Sequence, residues 1–189
     1  MRVIDVNSAD AVPLALSVIE EGGIIIYPTD TIYGFGVDAG NEDAIDKLNK
    51  IKGRQQPMSV LAPDKEIALS WGNISDDEKK MIELKLESKT TVIFTIKAGI
   101  VSSKILGEGN TLGVRIPEND FCNQISSLRK TPITTTSVNV HGQSPVNDPR
   151  NIVKMFGNKI NLFIHSENLE GKQSSVVFKI YRGQISQIR

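Results

Sequence analysis

The chain has 189 residues, 39% of them hydrophobic and 23% charged, which suits a soluble globular protein with one sizeable core and no need of a second domain. Lysine plus arginine (22) equals aspartate plus glutamate (22), so no overall field recruits nucleic acid or a membrane surface, and charge used on a ligand must be arranged locally. One cysteine, Cys122, excludes an internal disulfide and a cysteine-rich zinc cage, while the separated His141 and His165 form no metal motif, so no metal held by the protein is expected. The start, Met1-Arg-Val-Ile-Asp, lacks a secretory apolar stretch and no run approaches the roughly 20 apolar residues of a membrane span, which makes the cytoplasm the expected location.

Asn7 reads as an N-cap with Asp10 three residues on, opening a helix whose apolar face is Val12, Ala15, Leu16 and Ile19 and which ends at Gly22-Gly23. Ile24 to Tyr27 is a core strand. Pro28 cannot continue its ladder, so Thr29, Asp30, Thr31 and Tyr33 fall at a strand end, where an open α/β sheet builds a small-molecule pocket. Asn41 with Glu42 and Asp43 starts a second helix (Ile45, Leu48, Ile51) that stops before Gly53. Met58 to Leu61 is a short strand. A mixed helical region then runs from Asp64 to Leu86, with Ser75-Asp-Asp-Glu78 as a cap and acidic first turn. Thr91 to Lys97 and Thr111 to Ile116 are strands, the second closed by Pro117 and followed by a helix on Phe121, Ile125 and Leu128. Ile133 to Thr136 is strand-like, Pro149 to Phe156 helical, Leu162 to Ile164 and Ser175 to Ile180 strands, and Ile185 to Ile188 a short edge strand. The pattern predicts a mixed, twisted sheet with helices packed on it.

Four segments carry chemistry. Lys52-Gly-Arg54 is read equally well as cations complementing a helix C-terminus or as two cationic heads turned by Gly53 toward one anion. Arg115, between apolar Val114 and Ile116, reads on its own as a solvent-facing side chain. Ser137 and Asn139 either satisfy their own turn or hold phosphate oxygens, ribose or a hydrated metal without adding charge, and His141 beside Gly142 is a turn residue without a nucleophile to serve. Ser174 and Ser175 enter a late strand, and Arg182-Gly183 occupies the turn before the last one.

In their order, from about Gly22 to Arg182, these segments resemble the YrdC-like threonylcarbamoyl-adenylate synthase family. Its Pro-Thr-Glu/Asp-Thr-x-Tyr-Gly corresponds to Pro28-Thr-Asp-Thr-Ile-Tyr-Gly34, its Lys-x-Arg to Lys52-Gly-Arg54 and its arginine before an apolar residue and proline to Arg115-Ile-Pro117. Its Ser-x-Asn corresponds to Ser137-Val-Asn139, its Ser-Thr-Val-Val to Ser174-Ser-Val-Val177, and its closing arginine to Arg182. The chain departs from the family at Glu87-Ser-Lys-Thr-Thr-Val92, where Trp-Pro-Gly-Pro usually stands, at Ser175 in place of threonine, and at Gly183, which follows Arg182 without a proline between.

The resemblance implies one YrdC-like α/β domain over residues 1–189, in the single-domain form without an extra C-terminal domain, whose twisted mixed sheet and flanking helices leave an open cleft. It implies condensation of L-threonine, bicarbonate and ATP, the last with Mg²⁺, to threonylcarbamoyl-AMP and pyrophosphate. A separate tRNA-modifying transferase would use the product for threonylcarbamoyladenosine. Lys52 and Arg54 become the catalytic anion clamp, Arg115, Ser137, Asn139, Ser174 and Arg182 the nucleotide side, and Thr29, Thr31 and Tyr33 the threonine pocket. Two other readings stay open: a carbamoyl-adenylate-forming enzyme, and a non-catalytic module whose basic cleft meets tRNA or other RNA. No membrane partner is expected.

Overall fold

Four successive apolar residues, Ile24 to Tyr27, cannot all be covered by one layer, because neighbouring side chains of a strand point to opposite faces. In the computed structural model, which describes residues 1–166, 169 and 172–189, both faces are covered. The elements run β1 (Arg2–Asp5), α1 (Ala11–Glu20), β2 (Ile25–Tyr27), β3 (Gly34–Gly36), α2 (Glu42–Lys52), β4 (Ser59–Leu61), α3 (Lys65–Ser70) and α4 (Asp76–Lys85). There follow β5 (Thr90–Thr95), β6 (Thr111–Arg115), α5 (Asp120–Ser127), β7 (Ile133–Ser137), α6 (Pro149–Phe156), β8 (Leu162–His165), β9 (Val176–Tyr181) and β10 (Gln184–Gln187). The strands form one sheet in the order β1-β8-β2-β3-β7-β4-β6-β5-β9-β10. It is mixed: β8 runs parallel to β1 and β2, β4 to β6, and β5 to β9, while the other neighbours are antiparallel.

Ile25 and Tyr27 face a smaller core with Ala15 and Ile19 of α1 and Phe121 and Ile125 of α5. Ile24 and Ile26 face the larger one, closed by Ala44, Ile45 and Leu48 of α2, Ile82 of α4 and Phe156 of α6. Covering both sides leaves β6 buried along its whole length, Arg115 included.

The helices at 42–52 and 149–156, the capping box Ser75/Glu78 and the last edge strand are found where the sequence pattern puts them. Other expectations are corrected. Helix α1 begins at Ala11 rather than after Asn7, because β1, which the pattern did not reveal, pairs with β8 and carries the chain as far as Val6, whose N–H donates to the His165 carbonyl. Asn7 lies in the turn that follows, its own N–H donating to Asp5 Oδ1. The chain leaves the sheet at Pro28 as expected but returns as β3, antiparallel to β2. Leu128 lies beyond the end of α5 and is exposed.

Candidate active site

The loop between β2 and β3 is built from its own hydroxyls. Thr29 Oγ1 donates to the Ile32 carbonyl (2.7 Å) and accepts from the Thr31 N–H (3.1 Å), closing a tight turn. The Tyr33 hydroxyl donates to the Ser166 carbonyl at 2.6 Å and accepts from its N–H at 3.0 Å, while the ring meets Phe163 edge-on. Burial pushes the Tyr33 phenol above its ordinary pKa. Asp30 turns the other way, toward β6. Arg115 Nη2 donates to Asp30 Oδ1 at 2.6 Å and to Thr31 Oγ1 at 3.0 Å, so the arginine expected to face solvent is 6% exposed and ion-paired. Its alternation is regular, but the face opposite Val114 is roofed by the 28–33 loop.

Helix α2 ends at Gly53, whose φ of +70° caps the helix and sends Arg54 back across its last turn. Lys52, 2% exposed, points inward: its Nζ donates to the Ser137 carbonyl (2.6 Å), the Asn139 carbonyl (3.3 Å) and Asn139 Oδ1 (3.1 Å), and lies 5.4 Å from the Phe35 ring centroid. Burial first, and the Arg54 charge second, bring its pKa down to about 8. Ser137 Oγ donates to the same Asn139 Oδ1 at 2.7 Å, and Asn139 Nδ2 donates to the Gln143 carbonyl. Arg54 Nη1 instead contacts Gln56 Oε1 and, at 3.2 Å, His141 Nδ1. The Lys52 and Arg54 charges interact, but the two heads do not open on one space.

Between these segments lies a cavity of about 140 Å³. Of the expected residues, Thr29, Tyr33, Arg54, Arg115, Ser137 and Ser174 line it. Thr31, Lys52 and Asn139 stand one layer behind, bonded to Arg115 or to the Ser137 segment. Arg182 is not on the wall. It sits with Gly183 at the β9–β10 turn, both with positive φ (53° and 72°), its guanidinium 5.1 Å from the Tyr181 ring. The hairpin register that follows from this two-residue turn pairs Gln187 with Phe178 and brings Arg189 back beside Ser175.

Arg189 therefore lines the cavity where Arg182 does not. Its Nε donates to the Ser175 carbonyl (3.1 Å) and its Nη2 to Ser175 Oγ (3.4 Å), which in turn lies 2.8 Å from Thr91 Oγ1. Burial, and then the charge of Arg115, lower its pKa. Counting the register out from a two-residue Arg-Gly turn is the signal that finds it. Ser59, Thr91 and Thr135 complete the wall and carry no motif; they enter because the strands bearing them adjoin.

Among the described residues the wall carries Arg54, Arg115 and Arg189 and no carboxylate. Nor do those residues gather three His, Cys, Asp or Glu side chains able to hold a metal, and none of their helices is long and apolar enough to cross a membrane. Guanidiniums and hydroxyls around a small polar cavity suit a ligand rich in anionic oxygens.

The Sua5_yciO_yrdC family model, described as telomere recombination, matches residues 17–189. A Methanocaldococcus jannaschii protein provisionally named threonylcarbamoyl-AMP synthase is 31% identical over 170 residues, covering 89% of this chain and 79% of its own. Among solved structures, Pyrococcus abyssi (P. abyssi) Sua5 complexed with L-threonine superposes with a TM-score of 0.88 at 22% identity, and E. coli YciO with 0.86 at 19%. Both share the fold over all of this chain, which spans 57% of the Sua5 chain and 92% of YciO.

Proposed function

The chain belongs to the Sua5_yciO_yrdC family, which is associated with threonylcarbamoyl-AMP synthase activity, and from that premise we propose that it is itself an L-threonylcarbamoyladenylate synthase. The observation that carries the proposal is the cavity wall: three guanidiniums, a row of hydroxyls and, among the described residues, no carboxylate or thiol side chain. Such a wall sets no histidine, lysine or carboxylate side chain of the described residues beside its hydroxyls to activate one as a nucleophile, and it favours a reaction driven by positioning and charge neutralisation.

The reaction needs no more than that. The neutral amine of threonine attacks bicarbonate, giving a carbamate and water. A carbamate oxygen then attacks the α-phosphorus of ATP, the bond to the bridging oxygen breaks, and pyrophosphate leaves with the negative charge. Arg54 and Arg189 would meet that charge, Arg189 taking the place that the motif order assigns to Arg182. Lys52 holds the Ser137–Asn139 turn from behind and adds its charge, and Ser137, Asn139 and Ser174 serve the nucleotide. Arg115 carries anionic oxygen at the junction with the Thr29–Tyr33 loop. The Thr29 hydroxyl is already committed to Ile32 and Thr31 and the Tyr33 hydroxyl to Ser166, so the substrate hydroxyl would have to exchange with one of these bonds. Mg²⁺ would enter on the nucleotide as part of the substrate, held by phosphate oxygens and water, the described residues of the wall offering it no carboxylate side chain.

The test is incubation of the protein with Mg²⁺, ATP, bicarbonate and each amino acid in turn, with mass detection of the acyl-adenylate and measurement of pyrophosphate. Threonine-dependent product is expected. ATP that stays intact with threonine and bicarbonate present would overturn the assignment. The product would feed a transferase that modifies tRNA, which addition of such a transferase and tRNA to the same mixture would show.

A further inference from the structure

We propose that Asp30, to which the motif comparison gives no role, is a positioning residue that acts on the bound substrate through Arg115. Its carboxylate is 4% exposed and links three segments of chain. Oδ2 accepts from the Lys89 N–H at 2.9 Å, with Ser88 Oγ and the Glu118 N–H each at 3.4 Å, which fixes the plane of the group. Oδ1 then receives Arg115 Nη2 at 2.6 Å.

That nitrogen has two hydrogens, and Thr31 Oγ1 takes the other at 3.0 Å. Nε is buried without a partner among the described residues, which leaves Nη1 as the donor available to a ligand in the cavity that Arg115 lines. The guanidinium is thus held by one corner, with its free edge set by Asp30. Charge acts in the same direction. Arg115 lies close enough to Arg189 to depress its ionisation, and without the Asp30 carboxylate the two cations would drive each other apart.

The Lys89 contact extends the role of Asp30 to the wall. Lys89 has φ +59°, a conformation L side chains rarely adopt, and it sits in the stretch that replaces the family's Trp-Pro-Gly-Pro. Its N–H is held by Asp30 and its carbonyl accepts from Val176 N at 3.0 Å, so a single carboxylate ties the segment at 88–89 to the arginine.

The inference rests on the cavity being the site for threonine and ATP, and the experiment separates the two claims. L-Threonine and MgATP are titrated separately into the wild type, Asp30→Asn, Arg115→Gln and the double variant, with melting temperatures recorded for each. Whichever ligand Arg115→Gln weakens should be weakened about 10-fold by Asp30→Asn, because an arginine misaimed by a fraction of an ångström loses most of its directed bond. In the Arg115→Gln background, Asp30→Asn should add less than about twofold, since the intermediary is already gone. Asp38→Asn, which breaks a buried pair away from the cavity, should lower the melting temperature and leave both affinities alone. If Asp30→Asn does not fold, Asp30→Ser removes the carboxylate with a smaller, polar side chain and should show the same dependence on Arg115. The proposal falls if Asp30 variants bind as the wild type does, if their loss is equal in both backgrounds, or if Arg115→Gln weakens neither ligand. A wild type that binds neither ligand overturns the functional assignment and this inference with it.

Discussion

Two buried arginine–aspartate pairs in this molecule look alike and sit in opposite electrostatic settings. Arg115 and Asp30 are 7% and 4% exposed in their side chains, Arg129 and Asp38 9% and 18%, and the Nε of each arginine is buried without a partner among the described residues. Around Arg129 the carboxylates are in excess, because Glu20 stands 3.7 Å from its other terminal nitrogen and Asp38 also accepts from the Gly40 N–H. Around Arg115 the cations are in excess, with Arg54 and Arg189 on the same cavity wall and Asp30 the carboxylate bonded to Arg115. A buried pair on its own is weak evidence of either stability or function. The local imbalance is what separates them: a cavity wall with cations in excess attracts an anion to complete it.

The comparison breaks most decisively at the uncompensated cations. Arg54→Ala should cost about 2 to 5 kcal/mol of transition-state stabilisation, read as loss of threonine-dependent pyrophosphate release, while the melting temperature stays near the wild-type value. Arg189→Ala should weaken MgATP in the same direction. Arg182→Ala should leave MgATP affinity unchanged, because that guanidinium rests on Tyr181 at the hairpin turn. If Arg182→Ala weakens ATP and Arg189→Ala does not, the hairpin register has been assigned to the wrong arginine. At the other pair the expectation reverses: Asp38→Asn leaves Arg129 with only the exposed Glu20 and should destabilise the fold by about 3 kcal/mol in urea titrations, with no change in MgATP affinity.

How much of this was legible in the sequence divides along the same line. Helices α2 and α4 announce themselves because their caps, Asn41 and Ser75, are local signals. The 28–34 motif was visible for the same reason. Strand β1 was not, since its four residues, all exposed but the half-buried Ile4, are ordered only by pairing with β8, some 160 positions away. The burial of Arg115 was missed because alternation says which face a side chain takes and nothing about what roofs that face. Arg189 was missed because its place depends on a turn seven residues earlier, whereas Arg182 carried the motif. Asp30 stood inside a quoted motif, but its partners at 88, 89, 115 and 118 come from other segments.

A smaller effect concerns the amino acid. The Thr29 hydroxyl gives its proton to the Ile32 carbonyl and receives both the N–H and the hydroxyl of Thr31, and the Tyr33 hydroxyl exchanges bonds with Ser166, so a substrate hydroxyl is read here by exchanging with one of these bonds while Ile32 on the cavity wall encloses a methyl. Serine should lose only about 1 to 3 kcal/mol for the missing methyl, and valine more, because it sets a methyl group against a hydroxyl-lined wall and gains no hydrogen bond there. Competition assays with ATP and bicarbonate saturating should order the substrates threonine, serine, valine. Equal use of valine would show that the 29–33 loop does not read the hydroxyl.

A pH dependence follows from Lys52. In the unfolded chain its ammonium has the ordinary lysine pKa of 10.5, whereas in the folded protein burial and the Arg54 charge bring it to about 8. Between those values the unfolded state binds more protons than the folded one, so this residue's contribution to stability rises with pH; below the window both states are charged and the burial penalty is fully present. Anion affinity should move the other way, because above about pH 8 the protein loses a positive charge behind Ser137. General alkaline unfolding would lower both quantities together, so opposite slopes are diagnostic. Denaturant titrations and MgATP affinities from pH 7 to 10, each taken as the difference between wild type and Lys52→Met, measure them. In Arg54→Ala the neighbouring charge is gone, and the window should open at a higher pH; a window that does not move would mean that desolvation alone sets the Lys52 ionisation.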